Sequence, residues 1–471
     1  MFSNELWQKS GVSTYSIDQS IRFNDDDSAY LKKDYGSDGS QTTFTLSGWL
    51  KLGILTGTAH SLFATGFLNG SAADFTLYFN GDQLYFYGGY NGGTPTNRLE
   101  TTQLFRDHSA WYHIVFVADT TNAVSSERLR LYVNGSRVTA FDTETYPSQN
   151  DTLVWGDATY SHVIGASSDD IAGNLNSQTP RYHYDGYMAE LVYIDGTAYG
   201  PENFGEYNDS NIWIPKDVSG LTFGTNGFHI DGRDSADLGD DESSNGNDFT
   251  TSGLASNDQV ADSPTNNFAV YNILYNVGDV DFPTYSEGNL SVDFNYFGKR
   301  SPVSTFALPT DSDAYCEFYI KTSSASNNSG VGIGQGDANN SGNVVLTNGV
   351  TYNFNGKKTT GGSATTFGNT YTAGDIIGVY FDQSDNEVDF YKNNTLEGSL
   401  SLSHLSGDLF FLVANNTTAQ QVIIANFGQD DTFAGNKTSG SAGSSDSSGN
   451  GKFYYSRISG AKALCSKSLG S

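Results

Sequence analysis

Hydrophobic and polar residues trade places every second position along most of this chain. The runs FTLSGWLKLG, DFTLYFNGDQLYFYGG, AWYHIVFVAD and RLRLYVNGSRV fill the first third, each bounded by Gly, Asn or Asp. A period of two places successive side chains on opposite faces of a pleated strand. The Asn-Gly pairs at 80–81 and 134–135 fall between such runs. They predict hairpins, because both residue types tolerate positive φ. Helical periodicity is almost absent. One short helix is expected near Pro201, in YGPENFGEY, where Pro suits a first turn. The predicted class is all-β, in two antiparallel sandwiches.

A second strand series begins near Asn289 and runs to QVIIANFGQ. All five tryptophans (Trp7, Trp49, Trp111, Trp155, Trp213) precede it, whereas Cys316 and Cys465 lie in the second half. That asymmetry argues for two different domains rather than a repeat. The stretch between them, 229–267, is rich in Asp, Ser, Asn and Gly and reads as a connector, with FHIDG as a strand completing the first domain. AGNKTSGSAGSSDSSGNGK at 434–452 is flexible by composition, and the tail after it regains some apolar residues. The organisation is thus an N-terminal segment at 1–16, a first domain at 17–232 and a linker at 233–267. A second domain at 268–433 precedes a flexible segment and tail at 434–471.

A length of 471 residues exceeds one ordinary core, in line with two domains. Lys+Arg 24 against Asp+Glu 53 gives a net charge of -29. Such a surface repels phosphate backbones and anionic membranes, so nucleic acid is not an expected partner. Two cysteines make no disulfide framework and no zinc site. No stretch approaches eighteen apolar residues, which argues against membrane insertion. MFSNELWQKSG has neither the basic nor the apolar region of a signal peptide.

The segments SIRFNDDDSAYLKK, FTLSGWLK, FRDHSAWYHIVFVADT, RLRLYVNGSRV, HVIGAS and YDGYMAELVYIDGTAYGPENFG occur in that order. Together they resemble the concanavalin A-like jelly roll of the laminin G and pentraxin type. AYCEFYIKT, VGIG, DIIGVYFDQSDNEVDFYKNNTLEGSL and ANFGQ resemble a SPRY-type β-sandwich. In such a sandwich Val379 and Phe381 share one face, Tyr380 and Asp382 the other, and Asp382, Glu387 and Asp389 fall at strand ends and in the turn. The order of the two modules, with RISGAKALC near the end, is similar to structural proteins of marine tailed bacteriophages, including cyanophages. Their tail usually reads Pro-Ser-Gly-Phe-Lys-Ala-Leu-Cys; here the Pro is missing and Ala461 replaces the aromatic.

The chain carries no G-x-S-x-G elbow, no H-E-x-x-H and no Walker loop. The seven histidines are scattered, and His113, inside an apolar strand, reads as a satisfied or exposed strand residue. Glycosidase jelly rolls pair carboxylates in one strand. Here Glu190 is the one carboxylate inside a clear apolar strand of the first domain, and it reads as an edge or end residue. No catalytic residue, metal or cofactor is expected. Of the metals, Ca²⁺ has the best candidates, in Asp25, Asp26 and Asp27 and in Asp169 and Asp170. DLGDDESSNGNDF lacks the ligand spacing of a calcium loop.

Glycan binding needs aromatic faces beside polar partners for hydroxyls. Three loops offer them: Tyr87 and Tyr90 in YFYGGYNGGTPTN, Trp155, Asp157 and Tyr160 in LVWGDATYSH, and Arg181, Tyr182 and Tyr184 in TPRYHYDGY. The phage resemblance implies a non-enzymatic tail fibre or host-facing decoration on the virion exterior, assembled in the host cytoplasm. It would partner other virion proteins and host surface glycans as a homo-oligomer, such as a trimer. A lectin-like adhesin is the alternative. A capsid decoration or fibre without host binding, and a depolymerase, stand behind it.

Overall fold

The computed structural model describes residues 15–53, 59–66, 74–91, 94–167, 180–274, 283–294, 301–323, 329–336, 348–361, 363–415, 420–440, 445–455 and 460–470. The N-terminal segment therefore lies outside the described residues up to position 14. The chain divides between Thr265 and Asn266 into two compact units.

The first unit packs two antiparallel sheets. One runs in the order Ser136–Arg137, Leu129–Val133, Trp111–Asp119, Thr43–Leu52, Gly186–Asp195, Ser20–Phe23 and Gln259–Val260, with Phe228–Ile230 also on Gly186–Asp195. The other runs Phe141–Thr145, Thr94–Leu104, Gln83–Asn91, Asp74–Asn80, Ala59–Gly66, His162–Ile164, Tyr30–Lys33 and Thr250–Ser252. Phe23, Phe44, Phe63, Phe75, Phe86 and Phe116 meet between them. The hairpin at 134–135 turns with φ of 47° at Asn134 and 76° at Gly135, the left-handed pair a tight hairpin requires. The helix expected near Pro201 is a single 3₁₀ turn, Pro201–Asn203.

The first sheet departs from simple alternation. In Thr43–Leu52 the residues Phe44, Leu46, Leu50 and Leu52 face the core. Thr45, Ser47, Trp49 and Lys51 point the other way, yet they are buried too. Residues 200–265 cover this second face. Phe204, Val218 and Phe223 pack on Val115, Val117, Val192 and Ile194, and Ile17 and Val260 pack with Trp49, Trp111 and Tyr187. Two ion pairs are sealed beneath, Arg22–Asp258 at 3.1 Å and Lys51–Asp262 at 2.6 Å.

The stretch 233–267, expected as a linker, is therefore part of the first unit as far as Thr265. Its Thr250–Ser252 strand pairs with Tyr30–Lys33, and Gln259–Val260 pairs with Ser20–Phe23. Several of its polar residues bond the chain itself. Asp241 accepts the backbone N–H groups of His229, Ser243 and Asn247, while Asn245 and Asn247 both donate to the Gly227 carbonyl.

The second unit also pairs two sheets. The larger runs Thr284–Ser286, Ser291–Asp293, Val422–Asn426, Ala314–Thr322, Ile376–Asp382, Glu387–Lys392 and Thr395–Ser401. The smaller runs Ser363–Thr366, Lys357–Thr360, Gly349–Asn353, Gly330–Gln335 and Leu409–Ala414. Val379 and Phe381 enter the core, and Tyr380 on the other face donates its hydroxyl to Asp313 at 2.7 Å. Asp382 accepts Ser384 Oγ and the Asp385 N–H, the bonds of a turn carboxylate.

The described part of 434–471 is not a loose tail. Buried Asp446 accepts from the N–H groups of Asn450, Gly451 and Ala463 and from Ser468 Oγ. Ala461, Ala463, Leu464 and Cys465 are fully buried, and the Tyr454 and Tyr455 N–H groups close on the buried Glu317 carboxylate at 2.7 and 2.9 Å. Serine and glycine made this stretch look flexible, but small residues are what let a backbone pack this closely.

Removing one partner of a buried pair leaves an uncompensated charge. Asp258→Ala is expected to lower the first unit's unfolding free energy by about 3–5 kcal/mol. Glu127→Ala, at the half-exposed Arg137–Glu127 pair, should cost less than about 1 kcal/mol. Urea titration of the two variants checks the contrast.

Burial pushes His113 and His162 down to about 3, so both are neutral in the folded chain and protonate more readily unfolded. Their contribution is complete above the unfolded value of about 6.5 and is lost as pH falls from there toward 3. His229 runs the other way: burial lowers it, but the bond and charge of Glu190 more than offset that. The stability advantage of the wild type over His113→Gln should shrink by about 1.4 kcal/mol per pH unit between pH 6 and 4. Denaturant midpoints at three pH values test this, and a constant difference would refute it.

Candidate functional site

Ser47 Oγ lies 2.8 Å from His113 Nε2, the separation of a nucleophile and its base. The hydrogen bonds run in the wrong sense for that chemistry. The Trp213 indole N–H, which can only donate, points at His113 Nδ1 at 3.0 Å. Nδ1 therefore accepts, the ring proton sits on Nε2, and Nε2 donates to Ser47. A general base needs Nε2 free to take a proton from the hydroxyl. The ring is stacked between Trp49 and Trp213, and the recess beside it, between Ser47, Trp49, Glu190 and Phe204, has no room for a water molecule. His113 is a satisfied core histidine. Glu190, expected at an edge or strand end, instead occupies a bulge in the central strand Gly186–Asp195, with φ of 50°. There it holds His229 Nε2 at 2.9 Å.

The outer face of the second sheet is different. Leu77 and Phe79, Leu84 and Phe86, and Leu99 enter the core, so the alternate residues of the same strands face away from it. They align in two rows across the strands. Tyr78 pairs with Tyr85, Tyr85 with Glu100, and Glu100 with Thr143. Beside them Thr76 pairs with Tyr87, Tyr87 with Arg98, and Arg98 with Thr145. Tyr78 is buried against its neighbours, 5.4 Å from both Tyr85 and Tyr87 between ring centres, while Tyr85 and Tyr87 are half-exposed.

Polar groups on this face are held in fixed directions. The Tyr87 hydroxyl donates to Glu100 Oε1 at 2.8 Å. Arg98 bonds the same oxygen and lies 5.0 Å from the Tyr87 ring centre. The Tyr85 hydroxyl donates to Gln83, whose amide donates to Asp142 at 2.7 Å. Burial, then the Glu100 hydrogen bond, pushes Tyr87 up to about 12, so its hydroxyl is neutral at ordinary pH. Half-exposed aromatic rings beside an amide, a carboxylate and a guanidinium suit the mixed apolar and hydroxyl surface of a sugar.

Of the residues expected to bind glycan, only Tyr87 is assigned to this face by its contacts. The side chain of Tyr90 lies outside the described residues. Trp155 is a correction: it is fully buried and packs edge-on against Phe63, Tyr193 and His162. Gly156, at φ of 93°, turns the backbone so that its N–H reaches His162 Nε2, which draws the tryptophan into the core. Tyr184 is a second correction, fully buried with its hydroxyl on the Lys51 carbonyl at 3.0 Å. Asp157 accepts the Thr159 N–H within its own turn, and Tyr160 packs partly buried against the core. Arg181 is exposed and its backbone bridges to Ser167, while the half-buried Tyr182 gives its carbonyl to the Ser61 N–H. Tyr78, Tyr85, Gln83, Arg98 and Glu100 were missed. For Tyr78, Gln83 and Tyr85 the signal was the phase opposite to Leu77, Leu84 and Phe86 in DFTLYFNGDQLYFYGG, whereas Arg98 and Glu100 join them only through the register of the next strand.

Asp169 and Asp170 lie outside the described residues, and Asp25–Asp27 form a 3₁₀ turn. Among the described residues no three His, Cys, Asp or Glu side chains come together as a metal site. No helix there is long and apolar enough to cross a membrane.

Residues 23–191 match the profile of the concanavalin A-like lectin/glucanases superfamily. No curated protein matches the chain. Among solved structures, the SPRY domain of human HERC1 is similar at 16% identity, over 29% of this chain and 87% of that domain, with a TM-score of 0.27. The heptameric SAP-like pentraxin of Limulus polyphemus is similar at 16% identity, over 40% of this chain and 80% of its own, with a TM-score of 0.27. A protein of Bacteroides ovatus, put forward as carbohydrate binding, is similar at 15% identity, over 50% of this chain and 58% of its own, with a TM-score of 0.32. The protein is nearly all β, and within its first unit residues 23–191 are similar to the concanavalin A-like superfamily.

Proposed function

We propose that this is a non-catalytic carbohydrate-binding protein whose first unit holds glycan on the outer face of its second sheet. The observation that carries the reading is the pair of cross-strand rows bearing Tyr85 and Tyr87 beside Arg98, Glu100 and Gln83. Sugar C–H groups would lie on the rings and hydroxyls would meet the fixed polar groups. The superfamily matched at 23–191 is named for lectins as well as glucanases. Against turnover stands the state of the acid: Glu100 is held by both Arg98 and Tyr87, whereas a glycosidase needs one carboxyl poised to give a proton.

The setting we propose is the exterior of a tailed-phage particle, as a host-facing appendage in a symmetric oligomer. The support is the order of the sequence segments, a laminin G-like module, a SPRY-like module and a terminal SGAKALC. An acidic surface of net charge -29 suits a soluble, salt-tolerant outer part.

Glycan-array binding is expected for the intact protein, and Tyr85→Ala and Tyr87→Ala should each weaken it about tenfold, equivalent to about 1.4 kcal/mol. Trp155→Ala should instead cost about 3–5 kcal/mol of stability through its cavity. Binding unchanged in both tyrosine variants would reject the face. For the setting, immunogold microscopy of purified particles is expected to label the tail or capsid exterior, and absence of the protein from purified virions would reject that placement.

A further inference from the structure

Lys51 and Asp262 form the shorter of the two ion pairs sealed beneath the cover of the first sheet. Both side chains are completely buried, and Lys51 Nζ lies 2.6 Å from Asp262 Oδ2. Ile17, Trp49, Trp111, Tyr187 and Val260 cluster around them, with Nζ 5.7 Å from the Tyr187 ring centre. The second carboxyl oxygen, Oδ1, accepts the Trp111 indole N–H at 3.0 Å. We propose that Lys51 and Asp262 condense into an intramolecular isopeptide bond, tying the central strand Thr43–Leu52 to the segment that covers it.

The chemistry needs a neutral amine, a neutral acid and a place for negative charge. Burial lowers the Lys51 pKa, though Asp262 opposes this. Proton transfer along the short Nζ–Oδ2 contact converts the ion pair to amine and carboxylic acid. The amine lone pair then adds to Cγ, and the charge that develops on Oδ1 meets the Trp111 N–H. Oδ2 takes a second proton from nitrogen and leaves as water. The balance closes: of the three ammonium protons, two depart on Oδ2 and one stays on the amide nitrogen. The C–N bond forms, the Cγ–Oδ2 bond breaks, and no oxidant or cofactor is required. Holding the two groups in contact supplies an effective concentration on the order of 10⁵ M or more.

Among the described residues, the other ion pairs lack one or more of these conditions. Arg22–Asp258 is buried on the same face, but a guanidinium stays protonated and is no nucleophile. Lys392–Asp375 and Lys32–Asp34 are partly exposed at 3.5 and 3.4 Å, so neither pair is sealed or in such close contact. The bond would close a loop from position 51 to position 262, most of the first unit. Such a link restricts the unfolded chain as a long-range disulfide does, without depending on redox conditions.

Denaturing mass spectrometry of the intact purified protein tests the proposal. The expected mass is one water below that of the sequence, and trypsin should release a branched peptide joining Lys51 to Asp262. A full sequence mass with trypsin cutting after Lys51 would overturn it. So would a lost water that fragmentation maps to another aspartate, as in a succinimide. Lys51→Met should carry its full mass, and Asp262→Asn should lose ammonia instead of water. The wild-type measurement decides the question even if both variants misfold.

Discussion

The central strands of the first sheet are buried on both faces, and much else follows from that. Trp49, Trp111, Tyr187, Val115 and Val192 point away from the sandwich core. Left in water they would form a wide apolar surface, which folded monomers rarely tolerate. The chain answers by laying residues 200–265 across them. Because that cover is rich in Asp, Asn and Ser, the layer it forms is mixed, and each polar group in it needs a partner. The Arg22–Asp258 and Lys51–Asp262 pairs, the Glu190–His229 pair and the Trp213–His113–Ser47 chain meet that need.

Closing one sheet leaves the other available. The outer face of the first sheet is filled by the protein's own chain, residues 200–265. On the outer face of the second sheet, Gln83, Tyr85, Tyr87 and Arg98 are partly exposed and already oriented by their neighbours. Binding on such a face would spend little side-chain entropy, because Tyr85, Tyr87 and Arg98 are held before any ligand arrives.

The fold class was legible because alternation is a direct consequence of strand geometry. It read well in Asp74–Asn80 and Gln83–Asn91, where one face is core and the other is not. It read poorly wherever composition stood in for contacts. The stretch 233–267 has the makeup of a solvated linker, yet Asp241, Asn245 and Asn247 spend their hydrogen bonds on the chain itself. Serine and glycine around Asp446 misled in the same way. Trp155 next to Gly156 resembled an exposed loop tip, but the glycine's positive φ is what lets the tryptophan turn inward. The tyrosines of the candidate face were visible as residues and invisible as a set, since their alignment depends on cross-strand register, which no single strand encodes.

Register also explains why proximity of reactive groups is a poor guide to reactivity here. Ser47 and His113 stand opposite one another's neighbours on paired strands, Ser47 with Val115 and Trp49 with His113, so the contact between their side chains is a diagonal that any tightly paired sheet produces. What decides its chemistry is the third partner. An acceptor at Nδ1 would have left Nε2 basic, whereas the Trp213 donor fixes the opposite tautomer and the tryptophan stack excludes water. The same test separates the two buried cation–carboxylate pairs: Lys51 can give up its protons and Arg22 cannot. In a scaffold sealed this completely, the identity of the atom that donates, more than the distance, determines whether a close contact remains structure or becomes chemistry.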